Sequence, residues 1–233
     1  MGDDLMLLER VDRKYVVPEP TVAQLVKHLS GDLAVLEIGG RRTFAYESSY
    51  FDTPTWASFH GAATGRRQRF KARTRRYVDT GTVMLEVKVR SGRGVTRKTR
   101  QPRPDASPAL TDAEIAFIEE VAGRPGIGGD LRAVLLTAYQ RTSLVAESDS
   151  YRVTVDLDLR CGPPGCTATV SVPDAIVEIK SAGPPTVADR WLWANGHRPL
   201  RLSKFGIGMV ATYPALRGNR WHRALTRHAD LAR

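Results

Sequence analysis

The sequence predicts an α+β protein built on an antiparallel sheet of seven or eight strands, each with one apolar face and one charged face. The first observation is that apolar and charged residues alternate in several segments, as is typical of half-buried strands. The second is that turn residues separate these segments. The third is a strongly cationic segment at residues 66–76.

The cationic segment is best explained as a strand. With a period of two, its cations share one face: Arg67, Arg69, Lys71, Arg73 and Arg75. A helix would spread them around its axis and leave no apolar stripe for a core. Neighbours on the strand face repel by about 0.6 kcal/mol in water and about 2.5 kcal/mol at an effective dielectric of 20. We therefore expect a counter-anion if this face is enclosed.

Two further strands extend the cationic strand into a meander of hairpins. Residues 83–90 place Glu86 and Lys88 on the side opposite a valine and leucine face. Residues 95–100 again alternate and place Lys98 on a charged face. Short turns rich in glycine separate the strands. The meander therefore has one charged side.

The remaining elements follow from the same patterns. Alternation predicts these further strands: 7–17, 44–52, 139–145, 151–159 and 175–181. Helical spacing and capping residues predict these helices: 21–29, 111–121 behind a capping box, 185–195 ending before Gly196, and a buried helix begun by Ser203.

Length and composition predict a single domain over residues 1–233, with a basic tail at 217–233. The formal net charge is +10, and fourteen lysines and arginines lie within 66–103 against Asp79 and Glu86. This concentration favours a local polyanion site over a generally adhesive surface. We expect the tail to be a solvated terminal helix, with nucleic-acid binding as the alternative.

Other functional classes lack their signals. Cys161 and Cys166 have no second pair for a zinc site, so we expect two reduced thiols in a turn. The five histidines are scattered, and no complete P-loop, Rossmann, metalloprotease or hydrolase motif occurs. No 18-residue apolar run or basic leader is found, so we expect a cytoplasmic protein without a membrane span.

The charged face has two interpretations. An antiparallel sheet can turn its charged side to water and carry helices on the other side. Against this, arginine dominates the face, and its few carboxylates are Asp12, Glu86, Asp156, Asp158 and Glu178. Arginine binds phosphate oxygens through two N–H groups, and nearby carboxylates can hold a hard divalent cation against the same phosphates. Inside a closed barrel, such a face would line a polyphosphate tunnel.

A series of short motifs spans nearly the whole chain: ERVDRKY at 9–15, SYFDT at 49–53, RFKARTR at 69–75, EVK at 86–88, YQRT at 139–142, RVTVD at 152–156, VEIK at 177–180 and SKF at 203–205. In these motifs the chain resembles the VTC (vacuolar transporter chaperone) polyphosphate polymerase domain of the triphosphate tunnel metalloenzyme superfamily, which is related to the CYTH domains. The resemblance implies a closed antiparallel β-barrel tunnel of about eight strands with flanking helices.

The first strand departs from the hydrolases of this superfamily. CYTH hydrolases show Glu-x-Glu-x-Lys there, whereas Arg10 replaces the first glutamate here and Asp12 stands at the second. Losing a carboxylate and gaining a cation weakens a two-metal arrangement suited to hydrolysis. The departure therefore favours the VTC-like interpretation.

The face and the resemblance together imply a set of functional residues. The expected catalytic residues are Lys14, Arg73, Arg75, Lys88 and Glu178. The expected substrate-binding residues are Arg10, Arg69, Lys71, Lys98, Arg141, Arg152, Lys180 and Lys204. The expected ligand of a divalent metal, Mn²⁺ or Mg²⁺, is Glu178, with Asp156 as a second candidate.

The implied activity is an ATP-dependent polyphosphate polymerase-type phosphotransferase, which adds the γ-phosphoryl group of ATP to a polyphosphate chain. Phosphoryl transfer depends on positioning and charge neutralisation, so no protein nucleophile is required. The alternatives are a tripolyphosphatase or nucleoside triphosphatase of the same fold, a non-catalytic polyphosphate binder, and a single-stranded RNA binder, for which aromatic platforms among the cations are sparse. We expect ATP and polyphosphate or triphosphate as partners and no nucleic acid, and a membrane-protein partner stays open.

Overall fold

The computed structural model describes residues 11–92, 95–146, 150–166, 170–221, 224–226 and 230–231. Its strands are β1 (Val11–Val17), β2 (Leu33–Val35), β3 (Thr43–Asp52), β4 (Arg69–Tyr77), β5 (Thr82–Arg90), β6 (Thr96–Arg103), β7 (Arg132–Ala146), β8 (Tyr151–Gly162), β9 (Val170–Val172), β10 (Ala175–Ser181) and β11 (Asp230–Leu231). Its main helices are α1 (Glu19–His28), α2 (Ala57–Ala63), α3 (Asp112–Ala122), α4 (Val187–Ala194) and α5 (Lys204–Thr212). Within the described residues, no helix has the length and apolar character needed to cross a membrane.

The chain divides into two units, which we describe one at a time. The first unit comprises the described residues up to Phe44, together with Gln140–Leu159 and Val172–Leu202. The second unit comprises Ala45–Tyr139, Arg160–Ser171 and the described residues from Ser203 onward.

The first unit is a sheet with helices on its apolar face. Its strand order is β1-β10-β8-β7, and the pairs β1–β10 and β10–β8 are antiparallel. The core side of these strands packs with α1 and α4 and is fully buried at Tyr15, Val153 and Ile179. Tyr15 donates a hydrogen bond from its hydroxyl to Asp189 Oδ1 at 2.6 Å, which ties β1 to α4. Burial and the neighbouring Asp189 carboxylate raise the pKa of the Tyr15 hydroxyl.

The second unit carries the meander predicted from the sequence. Its strand order is β7-β3-β4-β5-β6, and the β3–β4, β4–β5 and β5–β6 pairs are antiparallel. The apolar side, with Ala72, Leu85 and Val87, packs on α3 through Ile118. A capping box starts α3, because Thr111 Oγ1 accepts from the Glu114 backbone N–H and the Glu114 carboxylate accepts from the Thr111 backbone N–H.

Most predicted elements are confirmed within a few residues, and the differences have local causes. Helix α2 was not predicted, because its N-terminus carries no capping side chain of its own. Instead the buried carboxylate of Asp52 accepts backbone N–H bonds from Thr53, Ser58 and Phe59 at 2.8, 2.8 and 2.9 Å. A cap located five residues before the helix is not covered by the usual capping rules.

Three short strands, β2, β9 and β11, were also not predicted, and β7 is longer than the predicted strand at 139–145. The expectation of a terminal helix is wrong at residues 230–231, because β11 pairs with β9 in antiparallel register. Two- and three-residue strands are too short to show a period in the sequence.

The fold class is confirmed at the level of an α+β protein with antiparallel strands. Among the described residues, no hydrogen-bonded pairing joins β1 to β6, the two ends of the strand path. Closure of the sheet into a barrel therefore stays a prediction, as does the assignment of residues 1–233 to a single domain.

Candidate functional site

The cation-rich face of the second unit is the main candidate site. Residues that are directly opposite in an antiparallel pair point to the same side of the sheet. The register therefore defines three rows that cross β4, β5 and β6, in that order: Arg69–Arg90–Thr96, Lys71–Lys88–Lys98 and Arg73–Glu86–Arg100. We call these rows, together with Arg75, the cationic face. The prediction that alternate residues of 69–75 share one side is confirmed.

The cationic face opposes like charges in two of its three rows. Side chains directly across an antiparallel pair lie about 5 Å apart, so two cations there repel by about 1 kcal/mol in water and about 3 kcal/mol at an effective dielectric of 20. The pairs Lys71–Lys88 and Lys88–Lys98 are of this kind, as is Arg69–Arg90. A bound polyanion would reverse the sign of this interaction.

Glu86 is the internal counter-charge of the face. It is only 2% exposed and accepts hydrogen bonds from Arg73 Nε and Nη2 at 2.8 and 2.5 Å. Its other oxygen accepts from Lys98 Nζ at 3.4 Å. Burial alone would raise the pKa of Glu86, but the cations of Arg73, Arg75 and Lys98 lower it to about 2. Glu86 is therefore a carboxylate that stays ionised and holds Arg73 in place.

Arg73 is also held from β3. Its Nη1 donates to the Tyr50 hydroxyl at 3.1 Å. Burial lowers the pKa of Arg73, but Tyr50 and Glu86 raise it by more, so the guanidinium stays charged. Two fixed contacts on opposite sides of one guanidinium restrict it to a single orientation.

Arg75 is buried without a carboxylate partner. It is 9% exposed, and its Nη2 donates to the Tyr139 hydroxyl at 3.2 Å. Its guanidinium carbon lies 5.4 Å from the ring centroid of Tyr46. Across the described residues it forms no salt bridge, and its Nε has no hydrogen-bond partner. Two hydroxyls nearby in the sheet, Ser48 Oγ opposite Arg75 and Thr137 Oγ1 two residues before Tyr139, are likewise buried without a partner.

The start of α5 contributes one further cation, Lys204, to the second unit and contacts Lys71 of β4. Ser203 caps this helix by accepting from the Gly206 backbone N–H at 3.3 Å, and it also accepts from Lys71 Nζ at 3.1 Å. Lys71 Nζ lies 4.9 Å from the Phe205 ring centroid. Lys204 Nζ lies 4.6 Å from the ring centroid of Tyr139. Ser203 thus links α5 to the cationic face at Lys71 of β4.

The first unit has a smaller charged face of its own. The register places Lys14, Glu178 and Thr154 in one row, and Asp12, Lys180 and Arg152 in the next. Glu178 lies 3.6 Å from Lys14 Nζ and 3.9 Å from Lys180 Nζ. The predicted neighbours Lys14, Glu178 and Lys180 are therefore close together.

A bidentate ion pair accompanies this face. Arg141 Nε and Nη2 donate to the two carboxylate oxygens of Asp156 at 2.6 and 2.8 Å, and Asp156 is fully buried. A bidentate arginine uses both oxygens of a carboxylate. Asp156 thus neutralises Arg141, in the same way that Glu86 neutralises Arg73.

The carboxylates differ in their fit to a divalent metal. The described residues contain no cluster of three or more histidine, cysteine, aspartate or glutamate side chains that could hold a metal. Asp156 uses both of its oxygens for Arg141, and Glu178 forms ion pairs with Lys14 and Lys180 at 3.6 and 3.9 Å. Mg²⁺ commonly binds through one or two carboxylates plus substrate phosphates and water. Glu178 fits that role as a single protein ligand, and the predicted metal role of Asp156 gains no support.

The structure resolves the predicted site only in part. Arg10 lies outside the described residues. The expectation that cations from both charged faces converge on one cavity stays a prediction.

Sequence reasoning did not single out the aromatic rings beside the cations: Tyr46, Tyr50, Tyr139 and Phe205. The signal was available, since Tyr46 and Tyr50 share a parity in a predicted strand. These rings contact lysine and arginine, which differs from the open stacking surfaces of RNA binders.

The fold and site define a class: an α+β protein whose antiparallel strands carry a cation-rich face with few carboxylates. The VTC domain family matches residues 9–120 and 126–213. These segments cover most of the 233 residues, so the chain belongs to the VTC domain family, as the sequence motifs predicted.

Solved structures resemble this chain at low identity. HpAC1 from Hippeastrum, for which a dominant triphosphatase activity is described, is 15% identical with a TM-score of 0.51 over 87% of this chain and 96% of that chain. A proposed adenylate cyclase from Vibrio parahaemolyticus is 13% identical with a TM-score of 0.45 over 82% of this chain and 83% of that one. The PH1819 protein from Pyrococcus horikoshii is 11% identical with a TM-score of 0.46 over 85% of this chain and 97% of that one. Comparison with curated protein sequences finds no match.

Proposed function

We propose that this chain is an ATP-dependent polyphosphate polymerase-type phosphotransferase, which transfers the γ-phosphoryl group of ATP to the end of a polyphosphate chain. Membership of the VTC domain family supports a function in phosphate-chain chemistry. The single observation that carries the proposal is Arg75, a buried cation without a salt bridge to any described carboxylate. Glu86 acts on this guanidinium through its charge, while its oxygens bind Arg73 and Lys98. Arg75 therefore has no carboxylate in direct contact, and phosphate oxygens are its best match.

Arg73 and Arg75 have different roles in the proposed phosphoryl transfer. Arg73 is fixed by Glu86 and Tyr50, so it offers a preorganised charge that costs little reorganisation when the phosphoryl group moves. Arg75 carries a charge that no described carboxylate binds directly, so its guanidinium is assigned to a phosphate oxygen. Because the transition state spreads charge over the moving group's oxygens, these fixed cations lower the barrier by neutralising that charge.

The lysine row aligns the phosphate chain. Lys71, Lys88 and Lys98 cross three strands in one row, and strands lie about 4.8 Å apart. A flexible ammonium group acts as a point charge and tolerates several positions of a phosphate, in contrast to the arginine fork. The row therefore suits a polymer that must advance by one unit after each transfer.

Glu178 would hold Mn²⁺ or Mg²⁺, which neutralises phosphate charge and polarises the phosphoryl group when bound. Lys14 and Lys180 flank this carboxylate and would bind the same phosphates. Arg141, Arg152 and Lys204 complete the proposed substrate contacts. We further propose that the strand path closes into a tunnel of about eight strands, so that the phosphate chain is enclosed.

Product analysis tests the proposal. The pure protein is incubated with ATP, Mn²⁺ and a short polyphosphate primer, and the products are separated by size on a gel. The polymerase proposal predicts chains longer than the primer that grow with time. Free phosphate released from triphosphate without chain growth would identify a triphosphatase, which uses the same cations with water as the acceptor. Tight polyphosphate binding without turnover would identify a non-catalytic binder.

A further inference from the structure

A second group of arginines, which shares Arg69 with the cationic face, surrounds a pocket beside α2. The pocket has a volume of about 260 Å³. Its cations are Arg66, Arg69 and Arg124, and His60 and Gln68 contribute further polar groups. Among the described residues that line it there is no aspartate or glutamate.

The positive charge around this pocket is not compensated. In the part of the chain that the structure describes, Arg66, Arg69 and Arg124 form no salt bridge. Arg69 faces a second cation, Arg90, directly across the β4–β5 pair. Burial, followed by the charges of Arg90 and Arg220, lowers the pKa of Arg69. The protein thus holds several cations together at a cost that an anion would offset.

Local contacts hold two of these arginines, Arg69 and Arg124, in position. Arg69 Nη1 donates to the Arg66 backbone carbonyl at 2.6 Å, and the Arg124 guanidinium lies 5.5 Å from the ring centroid of Phe70. Helix α2 approaches closely, because a Cβ at Gly61 would lie 3.3 Å from Arg69 Cβ. An arginine side chain that is already held by a backbone carbonyl or by an aromatic ring loses less conformational freedom on binding a ligand.

From this uncompensated cluster, in which two of the three arginines are held in position, we propose that the pocket is a second anion site for a small phosphate-class oxyanion. Its volume lies below the roughly 300–1,000 Å³ of pockets that take drug-sized ligands, so it suits an inorganic anion better than a whole nucleotide. The same chemistry could come from free phosphate or from a segment of a polyphosphate chain. The site goes beyond the phosphotransfer proposed above, because Arg66 and Arg124 have no part in that reaction.

The test measures anion binding by isothermal titration calorimetry on the full chain. Arg75→Gln serves as the background, because it weakens the binding expected at the cationic face. Arg66→Gln/Arg124→Gln is added to this background, and Arg132→Gln, an exposed arginine at the start of β7, is the control. Circular dichroism verifies that each variant is folded. One arm titrates orthophosphate and the other tripolyphosphate.

We expect the Arg75→Gln protein to keep one anion-binding event. The double substitution should weaken it by about tenfold or more, since each charged hydrogen bond lost is worth about one factor of ten, and Arg132→Gln should leave it unchanged. Binding of orthophosphate identifies a site for free phosphate, and binding of tripolyphosphate alone identifies a site for a chain segment. Unchanged affinity in the folded double variant, or no binding to the Arg75→Gln protein in either arm, would overturn the proposal. Neither result bears on chain synthesis, which the gel assay measures separately.

Discussion

Arg73 and Arg75 lie two residues apart on one strand, yet the described carboxylates provide a salt bridge for only one of them. Glu86 stands directly across from Arg73 and binds it through two hydrogen bonds. Arg75 faces Met84 in the same strand pair and relies on the Tyr139 hydroxyl. At the scale of single residues, the charge of Arg73 is therefore neutralised by a salt bridge, and the charge of Arg75 is left to bind an anion.

Glu86 makes the stability of the second unit depend on pH. Its folded pKa of about 2 lies below the ordinary value of 4.5, so its contribution is present above about pH 4.5 and is lost as the pH falls towards 2. We expect the free energy of unfolding to fall by about 3 kcal/mol over this range. Urea unfolding at several pH values measures it, with Glu86→Gln lacking this component and the exposed Glu47→Gln keeping it. Equal acid sensitivity of wild type and Glu86→Gln would contradict the assignment.

Glu178 separates metal binding from phosphate binding. Glu178→Gln keeps the shape of the side chain and removes the charge that a divalent cation needs. We expect turnover to fall by at least about tenfold, while metal-free binding of tripolyphosphate persists or tightens. Steady-state kinetics and calorimetry measure the two effects. The control is Glu37→Gln, which removes an exposed carboxylate paired with Arg42. Full metal-dependent activity of Glu178→Gln would make Glu178 a structural partner of Lys14 and Lys180.

At the scale of elements, α3 supports the back of the cationic strands. Ile118 on this helix is fully buried against Ala72 of β4 and Val87 of β5, whose neighbouring residues on the other side carry the cations. The capping box at Thr111 and the left-handed Gly123, with φ of 62°, set the two ends of the helix. The helix therefore contributes to stability while having no part in the chemistry.

Removing the cap of α3 should separate stability from binding. Thr111→Ala deletes the side-chain acceptor for the Glu114 N–H, and we expect a loss of about 1 kcal/mol in the free energy of unfolding. Thr111→Ser retains the hydroxyl and should lose much less. Chemical denaturation measures both variants, and the affinity for tripolyphosphate should stay at the wild-type value. A large loss of affinity in Thr111→Ala would indicate that α3 positions the cations.

At the scale of the whole molecule, the sequence predicts the strands and their charged faces better than the side-chain pairs that form between strands. The period-two pattern of β4, β5 and β10 determines which face is charged, and the registers agree with it. The capping box before α3 and the glycine after α4 also locate these two helices to within two residues. These features are local, so the sequence contains them in full.

The features that the sequence could not predict depend on distant partners. Glu86 was predicted on the right face, but its pairing with Arg73 follows from the register between two strands. Asp156 was assigned to a metal, and only the structure shows Arg141 on both of its oxygens. Asp52 caps a helix that has no signal of its own. Pairing across strands is set by the fold and leaves no mark at a fixed spacing in the sequence.

The concentrated charge predicts a response of the whole protein to phosphate chains. Any anion that binds the folded state raises its stability, by about 2.7 kcal/mol at a concentration of 100 times Kd. We expect tripolyphosphate to raise the melting temperature by several degrees, and more than orthophosphate at the same concentration, because it reaches several cations of one row. Differential scanning fluorimetry at constant ionic strength measures this, with chloride as the control. Equal shifts for tripolyphosphate and orthophosphate would indicate unspecific surface binding.

The most direct test of the cationic face compares two adjacent arginines of β4. Arg75 is buried on the face, whereas Arg76 is exposed on the other side and forms a surface pair of 3.5 Å with Glu47. The dissociation constant of tripolyphosphate is measured by calorimetry for wild type, Arg75→Gln and Arg76→Gln, which lose the same charge. We expect Arg75→Gln to bind at least about tenfold more weakly and Arg76→Gln to bind like the wild type. Equal effects of the two substitutions would contradict the assignment of anion binding to the cationic face.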